Sequence, residues 1–417
     1  MLDPALLRED PARLAEAMAR RGVELDVDAL VELDRRRREV RREAETLRAR
    51  QKELGKEIPR LEGADRDAAV AEAGELSKRY KELLDEADRL DAEFMERWVR
   101  LPNLPDPTAA EGLTEEDAEE LSRWGTPPEF PFEPKDHVEL GERLGIIDIE
   151  RAAKISGSRF GIVKGPLAVL EFALVRWALD LLEPHGFVPA LPPVLVREHA
   201  LFGTGFFPGD RDQVYRVDDG ELYLVGTSEV SLAAMHGDEI LAAEDLPLRY
   251  AGFSTCFRRE AGTYGKDTRG IFRVHQFDKL EMFSFVHPDA SREEHDFLLA
   301  REEEIVQGLG IPYRVVNVAA GDLGASAAKK YDIEAWFPSQ GRYREITSTS
   351  NTTDYQARRL RIRFADERGN RLVHTLNGTA IAMGRTLIAI VENFQDADGT
   401  ITVPEVLVPY AGFERIG

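Results

Sequence analysis

Residues 256–281 read CFRREAGTYGKDTRGIFRVHQFDKLE, which gathers four arginines, two lysines, two glutamates and two aspartates among spaced aromatic rings. Side chains alternate faces along a strand. A strand over 253–260 therefore sets Arg258 and Glu260 on one face and Arg259 on the other. The turn GTYGKDTRG, with Gly262, Gly265 and Gly270, reverses the chain. On the return strand Arg273, His275, Phe277, Lys279 and Glu281 share one face. A surface ion-pair patch is the plain reading of any one of these residues. Together they suit a nucleotide: guanidinium groups bind phosphate oxygens bidentately, Phe277 can stack a base, and a carboxylate accepts from an exocyclic amine. The common phosphate cradles are missing. No GxxxxGK[ST] occurs, and Gly203 and Gly205 lack the third glycine, Pro208 standing in its place. ATP bound here would lie on a sheet face, held by arginines.

Outward from this stretch, composition sets limits. The 417 residues carry 55 basic and 77 acidic side chains, a net charge of −22, so nucleic acid is repelled unless positive charge is concentrated locally. The single cysteine, Cys256, excludes an intramolecular disulfide and a multi-thiolate zinc site; no zinc is expected, and the thiol reads as a small buried apolar group. His275 reads as a hydrogen-bonded structural histidine. The start MLDPALLRED has no apolar signal core, and LAVLEFALVRWALDLLEP is interrupted by charges. A cytoplasmic location with no membrane partner is the expectation.

Asp3-Pro4 and Asp10-Pro11 each suggest the start of a short helix. From about residue 28, Leu33, Val40, Leu47, Leu54 and Leu61 recur every seven residues; Leu76, Leu83 and Leu90 form a second ladder beyond a break at 61–64. The pattern predicts an antiparallel coiled-coil hairpin projecting about 45 Å. Nine basic and three acidic residues lie between Arg35 and Lys52. Either this is a solvated flank, or it is an RNA-binding surface confined to one arm. Prolines 102, 105 and 107 and TPPEFPFEP at 126–134 mark a linker. Leu167, Leu170, Leu174, Trp177 and Leu181 step by three and four, predicting a helix that ends before Pro184. Strand-like runs dominate after 220, giving an α+β class. The expected division is a helical arm domain at 1–105, a linker and start of the body at 106–150, and a catalytic domain at 151–417.

FRRE, the glycine-containing turn and VHQFDKLE resemble motif 2 of the class II aminoacyl-tRNA synthetases, in the form found in seryl-tRNA synthetases. GFVPALPP with the helix before it resembles motif 1, a dimer-interface element, and TLNGTAIAMGRTLIAIVENFQ resembles motif 3. LFGTGFFPGDRDQVY, LVGTSEV and YREITSTSNTTDYQARR are similar to other stretches of that family, so the resemblance covers nearly the whole chain. It implies an antiparallel-sheet catalytic domain with a coiled-coil arm, a homodimer, and a ligase that activates L-serine with ATP and Mg²⁺ and passes it to tRNA(Ser), with tRNA(Sec) as a further candidate. The rivals are an amino-acid-activating paralogue and a non-enzymatic tRNA-binding regulator.

Carried across position by position, the resemblance implies catalytic roles for Arg258, Glu345 and Arg385. ATP would contact these and Arg259, Glu260, Arg273, Val274, Phe277, Ile346, Thr347 and Ser348, with the adenine between Phe277 and Arg385. Glu345 and Ser348 would hold Mg²⁺. Thr227, Ser228, Glu229, Arg258, Glu281, Asn377 and Thr379 would surround serine. Arg35, Arg36, Arg37, Arg38, Arg41 and Arg42 would meet tRNA. Ala380 stands where many members of the family have glycine, and Thr347 where serine is frequent.

Overall fold

An eight-stranded sheet organises the larger of two units, Pro102–Gly417. The computed structural model describes residues 1–217, 220–262, 267 and 269–417. Gly265, with Thr263, Tyr264, Lys266 and Thr268 of the central turn, therefore lies outside the described residues. The sheet strands are β1 (Glu119–Trp124), β2 (Phe187–Ala190), β3 (Leu248–Phe257), β4 (Gln276–Val286), β5 (Tyr313–Asn317), β6 (Lys329–Phe337), β7 (Arg342–Thr353) and β8 (His374–Ala382). Their spatial order is β1-β5-β6-β7-β8-β4-β3-β2. Every pair is antiparallel except β2 with β3, as the α+β reading required.

The central hairpin departs from the expected one. β3 stops at Phe257 and β4 starts at Gln276, so Arg258, Glu260, Arg273 and His275 lie beyond the strands. The cause is local: Glu260 has a φ of +49°, which ends the extended run. Pairing persists one step further through Arg258 N–H, which donates to His275 O at 3.0 Å.

Two of the bulges in the central strands reset the alternation beside the cleft. Ile346 is an extra residue on β7 between the pairs Glu345–Glu334 and Thr347–Ile333. Ala380 is an extra residue on β8 between Thr379–Glu281 and Ile381–Leu280. A bulge shifts side-chain parity by one. Glu345 consequently joins Ser348 and Ser350 on one face, and Ala382 joins Asn377 and Thr379; all six line one cleft.

The helices include α1 (Ala5–Glu9), α2 (Pro11–Arg20), α3 (Val27–Glu57), α4 (Gly63–Trp98), α5 (Pro166–Leu182), α6 (Glu229–Ala234), α7 (Ser291–Gly308), α8 (Tyr355–Leu360) and α9 (Met383–Asn393), with further short helices such as His137–Leu144, Ile149–Ser156 and Glu198–Thr204 between them. α5 buries Leu167, Leu170, Leu174 and Trp177 in the main core, the stripe its three-and-four spacing predicts. No helix among the described residues is long and apolar enough to cross a membrane.

The smaller unit is Leu2–Leu101, in which α3 and α4 pair. Asp10 caps α2, and Asp26 caps α3 by accepting from Ala29 N at 2.9 Å. Val40, Ala44, Leu83 and Ala87 form the hairpin core, with Leu47, Tyr80 and Leu90 packed on it. The expected ladder is corrected at both ends. Leu61 lies past α3, and Leu33 is only half-buried while Asp34 is buried. Asp34 is tolerated there because Arg37 and Arg38 reach its carboxylate at 2.6 and 2.9 Å.

Candidate active site

A cleft of about 480 Å³ opens on the bulged face of the sheet. Thr227, Glu229, Arg258, Glu260, Arg273, Val274, Phe277, Glu281, Glu345, Ile346, Thr347, Ser348, Asn377, Thr379 and Arg385 all line it. Phe277 and Thr379, 102 positions apart in sequence, share one surface because β4, β7 and β8 are neighbours, and α6 and α9 bring Glu229 and Arg385 to its margins.

Arg258 stands at the centre. Its Nε donates to Gly226 O at 3.1 Å, and its guanidinium lies 5.2 Å from the centroid of the Phe277 ring. No carboxylate comes within ion-pair distance of it among the described residues. To one side, Arg273 meets Glu260 at 2.8 Å. Arg385, in the first turn of α9, donates to Glu345 O at 3.0 Å and approaches the Glu345 carboxylate at 3.3 Å. Arg385 covers Phe272, not Phe277, at 5.0 Å. Burial pushes the Glu345 carboxyl upward, but Lys330, then Arg385 and Arg258, outweigh it and hold its pKa at about 2. An ionised carboxylate open to the cleft results.

To the other side, two carboxylates face each other. Gly252 on β3 allows α6 to approach, because a Cβ there would meet Leu232 at 2.7 Å. That approach brings Glu229 towards Glu281. Burial, and secondarily the Glu281 charge, raise the Glu229 pKa to about 7. Glu281 pairs with Lys279, two residues back on the same face of β4, and Thr379 Oγ1 donates to its Oε2 at 3.4 Å.

Two residues expected in the site do not line it. Ser228 is fully buried and its hydroxyl donates to Gly252 O at 3.1 Å, so it anchors α6 to β3. Arg259 points off the cleft, its guanidinium 5.9 Å from the Tyr215 ring and its N–H on Gln213 O. Thr347 lines the cleft, yet its hydroxyl donates to Thr379 O and ties β7 to β8. His275 does not line the cleft; its Nδ1 lies 2.9 Å from Arg258 O. Cys256 is fully buried. Lys279, Thr204, Phe206, Asp322 and Lys330 line the cleft without having been assigned a role. Only Lys279 was signalled, by its alternation with Phe277 and Glu281.

The arm arginines are mostly committed to carboxylates. Arg35 pairs with Glu32 and Glu39, Arg36 with Glu86, Arg37 with Asp34 and Asp91, Arg38 with Asp34, and Arg41 with Asp88 and Asp91. Arg42 alone of the six is exposed without such a partner among the described residues. α4 carries eleven acidic and six basic residues, which offsets the positive stretch of α3.

Residues 214–394 match the class II tRNA synthetase core domain (G, H, P, S and T), and residues 1–105 match the seryl-tRNA synthetase N-terminal domain. A serine–tRNA ligase of Acidothermus cellulolyticus is 53% identical over 99% of this chain and 98% of its own. Another, from Rubrobacter xylanophilus, is 50% identical over 100% of this chain and 99% of its own. The crystal structure of seryl-tRNA synthetase from Pyrococcus horikoshii complexed with ATP superposes with a TM-score of 0.95, at 44% identity, covering 100% of this chain and 99% of that one.

Proposed function

The chain belongs to the seryl-tRNA synthetases, and from that premise we propose how its cleft divides the work of a serine–tRNA ligase. The observation that carries the division is the position of Arg258, between a pocket walled by two carboxylates and a surface of arginines and rings. The carboxylate pocket takes serine. Glu229 and Glu281 receive its ammonium and hydroxyl, with Thr227, Asn377 and Thr379 completing the wall. The arginine side takes ATP: Arg273 meets the γ-phosphate, Glu260 accepts from the adenine amine, and Phe277 and Arg385 enclose the base, while Val274 and Ile346 supply wall contacts.

A serine carboxylate oxygen then attacks the α-phosphorus. The bond to the bridging oxygen breaks, and its electron pair leaves with pyrophosphate. Arg258, with no carboxylate among the described residues at ion-pair distance, stands where charge develops on the α-phosphoryl oxygens. Both reactants are held side by side, so the catalysis is positional and electrostatic, without a covalent protein nucleophile. A 3′-terminal ribose hydroxyl of tRNA next attacks the seryl carbonyl and displaces AMP. Glu345, ionised and open to the cleft, and Ser348 beside it offer the hard oxygen ligands that suit Mg²⁺. The ion would neutralise phosphate charge there.

The outer face of α5 and the β2 edge support a homodimer: Phe172 and Leu191 are 72% and 83% exposed, with Val169 and Val188 also exposed. The arm takes tRNA(Ser), with tRNA(Sec) a candidate, and the enzyme works in the cytoplasm. The division into an arm at 1–105, a connecting segment at 106–150 and a catalytic body at 151–417 follows the same assignment. Serine-dependent ATP–pyrophosphate exchange, followed by charging of tRNA, tests the whole reading. Exchange without charging would mark an amino-acid-activating paralogue, and neither reaction would mark a regulator.

A further inference from the structure

Gln356 lies in the first turn of α8 and is wholly buried. Its Nε2 donates to Glu229 Oε1 at 2.7 Å and to Thr204 O at 3.2 Å. Its Oε1 accepts from Thr375 Oγ1 of β8 at 2.8 Å. Thr375 in turn is held by Thr352 of β7, whose hydroxyl lies 2.5 Å from Thr375 Oγ1 and 2.8 Å from Thr375 O. A backbone carbonyl offers only acceptor sites, so Thr204 O fixes which end of the amide faces the cleft. The amide cannot turn over without setting two acceptors against each other.

Resting on the serine pocket proposed above, we infer that Gln356 is a positioning residue for substrate recognition, fixing Glu229 Oε1 so that Oε2 is presented to the ammonium of serine. The network reaches Glu229 from three elements that carry no charge of their own at this point: α8, β7 and β8. The charged groups acting on Glu229 are Glu281 and Lys279 from β4 and Arg258 after β3. Burial and Glu281 favour the protonated acid, while the Gln356 amide favours the carboxylate. An ammonium ligand needs the carboxylate. Gln356 therefore supplies both an orientation and a bias towards the binding-competent charge state.

The test is the pH profile of kcat/KM for serine in pyrophosphate exchange, with ATP saturating, for the full-length enzyme and Gln356→Met. Loss of a hydrogen bond to a charged group is expected to lower kcat/KM about 10- to 100-fold at pH 7. The acid limb should also move to higher pH by about one unit, because the carboxylate has lost a donor. KM for ATP should stay within about twofold. An acid limb left at its wild-type position, or an equal loss in the ATP parameter, would overturn the inference, since a merely structural residue lowers activity at every pH alike. Should Gln356→Met fail a thermal-melting check, Thr375→Val releases the far end of the amide with little change of volume. It should move the limb the same way by less, and an unmoved limb there overturns the inference too. The two readings separate cleanly. A wild-type enzyme without serine-dependent exchange would sink the serine pocket itself, whereas exchange with immobile limbs in the variants would sink only the role of Gln356.

Discussion

The arm and the cleft draw on the same two side-chain types and differ at one arginine. On α3, arginines meet carboxylates of their own helix or of α4, and most of these pairs are exposed. Exposed pairs contribute about 0–1 kcal/mol each, so they fix how the helices register more than how tightly they bind. In the cleft, Arg258 is held by a backbone carbonyl and a ring, and no carboxylate among the described residues comes within ion-pair distance of it, whereas its neighbours Arg273 and Arg385 do meet Glu260 and Glu345. The Arg258 charge remains available to the substrate. Arginine content alone therefore does not locate a polyanion site; an arginine held by neutral acceptors at the centre of a cleft is the more telling sign.

The sharpest way to break this contrast is Arg258→Ala. Adenylate formation should fall by about 10³-fold, in line with removing a preorganised charge stabiliser. Exchange within threefold of wild type would place Arg258 among ordinary ion-pairing arginines. Excision of residues 28–100 with a short linker comes next: exchange should stay within about threefold, while charging of tRNA falls at least about 100-fold. Equal loss in both assays would mean that the arm supports the body's fold.

A third test uses acid. His295 is buried beneath the sheet with Nε2 3.1 Å from Thr349 O, and burial lowers its pKa to about 4. Its folded value lies below its unfolded one, so the neutral form favours folding. That contribution is complete above the unfolded value of about 6.5 and is lost as pH falls towards 4, up to roughly 3 kcal/mol. Urea unfolding of the body at pH 7 and 4.5 should show a smaller acid loss in His295→Phe than in wild type. Equal slopes would assign the acid sensitivity elsewhere.

The smallest effect sharpens the contrast within the arm. Arg42→Ala should reduce the salt slope of tRNA binding by about 0.9, the loss of one phosphate contact. Arg41→Ala, whose charge is already met by Asp88 and Asp91, should instead lower arm stability by no more than about 1 kcal/mol. Identical salt slopes for the two variants would mean that Arg42 is no freer to meet phosphate than Arg41.

Alternation made much of the site legible. Phe277, Lys279 and Glu281 do share a face, and Asn377 and Thr379 stand opposite it. Three things were not legible, each for a physical reason. The hairpin's candidate site residues outrun their strands because Glu260 adopts a left-handed backbone, which few non-glycine residues signal. Asp34 replaces Leu33 as a core position because two arginines neutralise it, a compensation that a hydrophobic ladder does not register. Gln356 carries no signal of its own in the sequence, because only the folded chain brings Thr204, Glu229 and Thr375 around it.

The extra residues at Ile346 and Ala380 make the catalytic face a matter of counting. Deleting either one would restore an unbroken ladder while turning the residues on one side of it through half a revolution. Such a chain would keep its hydrophobic content and its strand propensities, and would pass most criteria of a well-formed sheet. It would nonetheless separate Glu345 from Ser348, or Thr379 from Ala382. At Ile346 and Ala380 themselves, then, the enzyme should tolerate changes of residue type and almost none of length, so that a record of its viable variants would show substitutions at the two bulges and gaps never opening there.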